Sequence, residues 1–140
     1  MGSLLFSTPE LIATYVKVAH DYHLPFLAAR AVGMKLPAAL SEKDILLDAV
    51  VMADPNVRTE QWKEFYLNAI KSLKPGLTEM IVHLGHDDAE LQAVTVGHPD
   101  YGSAWRQRDY DVVTSPEFKK ALQDNHVILI KWKDLQKLVN

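Results

Sequence analysis

The spacing of apolar positions along this chain changes from stretch to stretch, and each change marks a different element. Leu11, Tyr15, Val18, Ala19 and Tyr22 recur at helical spacing behind Ser7-Thr8-Pro9-Glu10, a cap with an early proline, and predict a helix over residues 9–22. The short apolar run Leu24-Pro25-Phe26-Leu27-Ala28 suits a buried strand, weakened early by Pro25, and residues 30–40 read as a loop. Residues 45–53 are apolar apart from Asp48, so a buried strand competes with a short helix capped by Ser41, and the strand is preferred. Thr59 is placed to cap a helix whose apolar face is Trp62, Phe65, Tyr66, Ala69, Ile70 and Leu73, before Pro75-Gly76 stops it.

Leu77-Thr78-Glu79-Met80-Ile81-Val82-His83 then reads as a strand delivering His83 to its C-terminal end. Asp87-Asp88-Ala89-Glu90-Leu91 opens a short helix, Gly97-His98-Pro99 breaks the chain, and residues 105–110 are helical. Thr114-Ser115-Pro116-Glu117 caps a further helix to about residue 123. A last strand over 127–132 and a terminal helix over 133–139 complete the pattern. Helix and strand alternate, as in a parallel α/β architecture, and ligands of such folds sit at the C-terminal strand ends.

Composition narrows the function. A length of 140 residues predicts a single α/β domain over 1–140. Fifteen Lys and Arg against eighteen Asp and Glu, with no basic block, argue against nucleic acid as a partner. The absence of cysteine removes disulfides, thiolate metal sites and a thiol nucleophile. Apolar stretches such as Ala49-Val50-Val51-Met52-Ala53 are far shorter than the ~20 residues of a membrane helix, and the first residues lack the pattern of a signal peptide. A cytoplasmic protein with no membrane partner is expected.

Two clusters carry candidate chemistry. His83-Leu84-Gly85-His86-Asp87-Asp88 places two imidazoles and two carboxylates directly after a strand. The plainer reading is that His86, Asp87 and Asp88 cap and solvate a loop-to-helix junction. In His98-Pro99-Asp100-Tyr101 and Trp105-Arg106-Gln107-Arg108-Asp109-Tyr110, the aromatic rings suit stacking on a sugar, and Arg106 and Asp109 are spaced to pair on a helix face. The plainer reading there is a helix that buries Trp105 and carries a surface ion pair. His20, His23 and His126, near element ends without converging partners, read as structural. Phosphate-loop, Gly-x-Ser-x-Gly and His-Glu-x-x-His motifs are absent.

Residues 73–85, Leu73-Lys74-Pro75-Gly76-Leu77-Thr78-Glu79-Met80-Ile81-Val82-His83-Leu84-Gly85, followed by Glu90-Leu91-Gln92, Trp105-Arg106, Asp109-Tyr110, Thr114-Ser115-Pro116 and Ile128-Leu129-Ile130-Lys131-Trp132, carry a resemblance. The chain resembles the C-terminal half of the YdjC-like carbohydrate deacetylases of the ChbG/HpnK type. The resemblance implies part of a (β/α) barrel with parallel strands, a fragment of a larger barrel that removes N-acetyl groups from amino sugars or short oligosaccharides with a divalent metal, zinc or magnesium. It implies His83 as the catalytic acid or the stabiliser of the tetrahedral intermediate, and Arg106 and Asp109 as residues that orient substrate or hold the barrel together; with Trp105 as the stacking ring, these make the expected substrate side.

The resemblance also implies a departure. The family's Asp-Asp pair and its His-x-Asp-x-His-x-His stretch have no counterpart in residues 1–140, Asp87-Asp88 following the wrong strand. Most metal ligands are therefore expected to be missing, and no residue is assigned to the metal. A homodimer, or a missing N-terminal half, would cover the open sheet. The rival expectations are a non-catalytic binding or assembly module with an aromatic surface, and a complete small enzyme using His83, His86, Asp87 and His98 as its own metal site.

Overall fold

The structure is a computed structural model describing residues 8–30, 39–40 and 43–139. The contacts separate two compact units, Met1–Ala49 with Leu129–Asn140, and Val50–Ile128.

In the first unit, helix α1 (Pro9–Asp21) starts where the sequence places it, with Thr8 Oγ1 accepting the Leu11 N–H at 3.3 Å and Pro9 in the first turn. Val16 and Ala19 on one face join Phe26, Ala28 and Leu46 in a small apolar cluster. The strand expected over 24–28 is reduced to an isolated parallel bridge, Ala29 to Leu47, in which Arg30 N–H donates to Leu47 O at 2.8 Å and Leu47 N–H to Ala28 O at 2.7 Å. Pro25 has no N–H to give, so the ladder cannot extend back through it. Most of the loop expected over 30–40, and Ser41, lie outside the described residues.

The second unit carries the candidate chemistry. Strands β1 (Ala49–Met52) and β2 (Thr78–Ile81) form a parallel two-stranded sheet, β1 starting at the unit boundary and later than residue 45. A 3-10 turn, Thr59–Gln61, leads into helix α2 (Trp62–Lys71). Thr59 therefore does not cap α2: it lies inside the preceding turn, and the residue before α2, Gln61, makes no side-chain cap bond. Helices α3 (Ala89–Val94), α4 (Ser103–Val113) and α5 (Pro116–Asp124) follow, with Asp88 and Ser115 as side-chain N-caps of α3 and α5.

Trp62, Tyr66 and Ile70 of α2 meet Trp105 and Val112 of α4 and Phe118 and Ala121 of α5 in one buried cluster, against which Met80 and Val82 pack. The cluster is aromatic at its centre, with the Trp62 and Trp105 rings edge to face at 4.6 Å. A mixed α/β arrangement results, with helices packed on residues of the parallel strands.

The strand expected over 127–132 does not form. Ile128 and Leu129 are 82% and 76% exposed, without a ladder partner among the described residues. The segment has the β-branched composition of a strand, but composition supplies no neighbour to pair with. Trp132 instead begins the short helix α6 (Trp132–Leu135), continued by a 3-10 turn, Gln136–Leu138. Among the described residues no helix is long and apolar enough to cross a membrane.

Candidate functional site

Asp109 is the only charged residue among the buried side chains described, and it is 0% exposed. Its position in the aromatic cluster, one turn beyond Trp105, follows from the i, i+4 register of α4, which turns Trp105 and Asp109 to the same side. An isolated carboxylate there would be costly, and the surrounding donors remove that cost. Oδ1 accepts from Trp62 Nε1–H at 2.8 Å and from Tyr66 O–H at 2.7 Å, and Oδ2 accepts from the backbone N–H of His83 at 2.8 Å. Burial, and next the bond to Asp109, push the Tyr66 phenol well above its ordinary range, so it stays a donor.

The bond to its backbone ties His83, just past the end of β2, to α4. The His83 side chain is 28% exposed, and its Nδ1 lies 3.9 Å from Asp109 Oδ2, beyond hydrogen-bond distance. Nδ1 itself is buried and has no hydrogen-bond partner. Burial pulls the imidazole below the ordinary 6.5; Asp109 opposes this, and the Arg106 guanidinium adds to it. The ring of Tyr101 lies 5.0 Å from that of His83 and 4.4 Å from that of Trp105. Tyr101 holds a φ of 62°, an uncommon left-handed backbone for a tyrosine, on the flank of the His83 ring.

Two glycines make the surroundings possible. A Cβ on Gly85 would stand 2.6 Å from Leu91 Cδ2 and 3.3 Å from Arg106 Cβ, so any larger residue there would displace the Leu91 side chain and press on α4. A Cβ on Gly102 would reach 2.3 Å from the carbonyl oxygen of His98, a backbone atom that cannot step aside.

The structure sorts the residues singled out by sequence. His83 and Asp109 come together with Tyr101 and Trp105 nearby. Trp105 is 3% exposed, a core position rather than an open platform for a sugar ring. Arg106 and Asp109 do not form the surface pair their spacing suggests: Asp109 turns inward, and Arg106 Nε–H donates to the Tyr101 carbonyl at 2.9 Å. The plainer reading of the loop holds. Asp88 caps α3 through the Leu91 N–H, Asp87 accepts from Gln92 Nε2 at 3.0 Å, and His86 packs edge-on to Tyr110. His98 lines a separate open groove of about 350 Å³ with Gln92, Thr95 and Ser103, and His83 is not among its lining residues. No group of three or more His, Cys, Asp or Glu able to hold a metal ion occurs among the described residues. His83, His86, Asp87 and His98 thus do not make the metal site of a complete small enzyme.

Sequence reasoning missed Tyr66 and Trp62 as partners of the site, because their spacing marks them as core and nothing local announces a carboxylate 43 and 47 positions away. It also missed Glu79, whose Oε2 is buried without a partner and whose carboxyl is raised above the ordinary 4.5 by burial.

A family model for YdjC-like proteins matches residues 3–124. Among solved structures, the fold is similar to that of a protein put forward as a cellobiose-phosphate cleavage protein from Enterococcus faecalis V583, with a TM-score of 0.64 and 20% sequence identity over 92% of this chain. This chain spans 48% of that protein's length. No curated protein matches.

Proposed function

Since the chain belongs to the YdjC-like family, whose members process carbohydrates, we propose that it is part of a hydrolase removing N-acetyl groups from amino sugars or short oligosaccharides, with His83 as its proton-transfer group. The observation that carries this reading is a partly exposed imidazole just beyond a strand end, tied through its backbone to a buried carboxylate. On this reading the chain corresponds to the C-terminal part of a ChbG/HpnK-type (β/α) barrel, and the barrel's other strands complete the sheet.

The chemistry asked of the site is amide hydrolysis: water adds to the acetyl carbonyl, the C–N bond breaks, and acetate and a free amine leave. Burial keeps His83 neutral near pH 7, so its imidazole can take a proton from the attacking water and return it to the departing nitrogen. Arg106, anchored to the Tyr101 carbonyl, borders the same face and supports the substrate side, whereas the buried Trp105 and Asp109 shape the site from behind. A divalent metal, zinc or magnesium, does not fit the described residues, which bring together no three His, Cys, Asp or Glu side chains to hold it.

The test is acetate release from N-acetylated amino sugars, measured for an enzyme containing this sequence. His83→Ala lowers kcat roughly 10²–10⁴-fold, the scale of a lost acid or base. An unchanged kcat removes His83 from the mechanism, and a lack of acetate from every N-acetylated sugar removes the reaction.

A further inference from the structure

Counting hydrogen bonds at Asp109 leaves one unfilled place. A carboxylate offers about four lone-pair sites. Three are taken: two on Oδ1 by Trp62 and Tyr66, and one on Oδ2 by the His83 N–H. The remaining site is on Oδ2, the oxygen nearest to His83 Nδ1. Nδ1 is sealed from solvent and has no partner. A donor and an acceptor, each one bond short, thus lie 3.9 Å apart, too close for a water molecule to stand between them.

We propose that Asp109 is the positioning residue of His83, accepting a hydrogen bond from Nδ1–H and so holding the imidazole in the tautomer whose bare Nε2 is presented to the ligand. The inference rests on the proposed role of His83 and supplies what that role needs, since only the unprotonated nitrogen can take a proton from water. Closing the gap requires about 1 Å of movement to reach an ordinary N–H···O distance. The movement falls to the imidazole, because Asp109 is fixed by donors from α2 and from the end of β2, while His83 is partly open to solvent. The other groups facing the ring are Tyr101, which stacks at a tilt, and Arg106, whose charge opposes protonation of the ring and so favours the neutral tautomer. Tyr66 and Trp62 serve the same end by occupying Oδ1, which leaves Oδ2 as the oxygen open to the imidazole.

The experiment reads the tautomer directly and needs no substrate, so its failure and the failure of the deacetylase reading are separate results. In the 140-residue chain with ¹⁵N-labelled histidine, long-range ¹H–¹⁵N correlations identify which ring nitrogen of His83 carries the proton at a pH above its titration. Nδ1–H in the wild type, passing to mainly Nε2–H in Asp109→Asn, is the expected result. Nε2–H in the wild type overturns the proposal, and so does the same tautomer in both proteins. Should Asp109→Asn not fold, the wild-type tautomer together with the solvent-exchange rate of the His83 ring proton decides alone: slow exchange of an Nδ1 proton supports the bond, and fast exchange overturns it. In an active enzyme, a merely structural Asp109 would change the amount of folded protein; a positioning Asp109 changes kcat per folded molecule and the acid limb of the pH profile.

Discussion

The two apolar clusters are built on different plans. Around Val16, Ala19 and Phe26 the polar contacts reach out toward solvent: the His20 side chain, 46% exposed, meets the Asp44 carboxylate, 8% exposed, at 2.6 Å, and the Tyr15 hydroxyl accepts the Leu27 N–H at 3.0 Å. Around Trp62, Tyr66 and Trp105 the polar contact is central, a carboxylate sealed among rings and held by donors from two other parts of the chain. A contact open to solvent on one side fastens segments together, and its loss lets water in to replace it. A central one fixes the position of whatever it touches, here the end of β2 and with it His83, and water cannot replace it without disrupting the core.

The strongest way to break this comparison is to remove each polar anchor. Asp109→Ala leaves the Trp62 and Tyr66 donors buried without partners and costs about 3–5 kcal/mol, whereas His20→Gln costs below about 1 kcal/mol, both read from urea denaturation. Equal losses would mean that Asp109 is no more central than a pair with one partner open to solvent. A finer cut removes one hydroxyl from each cluster. Tyr66→Phe, losing a bond to a buried carboxylate, costs about 1.5–3 kcal/mol, and Tyr15→Phe, losing a neutral bond, about 0.5–1.5 kcal/mol.

The smallest effects are in pH dependence, and they have opposite signs. Burial lowers the His83 pKa in the folded state below 6.5, so the fold binds fewer protons than the unfolded chain, and stability is lost as pH falls below about 6.5. Burial raises the Glu79 pKa above 4.5, so the fold binds more protons, and stability present below about 4.5 is lost as pH rises through the shifted value. Thermal melts across pH 4–8 should therefore show His83→Gln flattening the loss below neutrality and Glu79→Gln raising Tm slightly at pH 7 but not at pH 4. A wild-type profile unchanged by both substitutions would show that neither group is desolvated.

Much of this was legible in the sequence wherever the cause was local. The Thr8-Pro9 and Ser115-Pro116 helix starts and the Asp88 cap rest on bonds within a few residues, and the structure has them, whereas α2 ends at Lys71 with Ser72 as its cap, ahead of the stop expected at Pro75-Gly76. The strand over 127–132 failed because a strand is a relation between two segments, and the run specifies only one of them. Inside the candidate site, His83 could be singled out from strand-end logic, but the inward turn of Asp109 depends on Trp62 and Tyr66, which no spacing within α4 reveals. His23 and His126 do the work of glycine: each sits at a left-handed φ, 52° and 54°, as Leu24 N–H returns to Ala19 O and Val127 N–H to Leu122 O, closing α1 and α5. Histidine tolerates that backbone better than most residues, but its presence does not announce it.

The bonds to Asp109 span 26, 43 and 47 positions of chain. None can form until the loops joining α2, β2 and α4 have closed, so each carries a loop-closure cost that a local helix bond does not. If its bonds form after the transition state, Asp109→Asn is expected to raise the unfolding rate more than it lowers the folding rate, as read from a stopped-flow chevron; an equal or larger slowing of folding would place them in the nucleus. Persistence of the end of β2, and of the His83 backbone held there, is the quantity that this buried carboxylate governs.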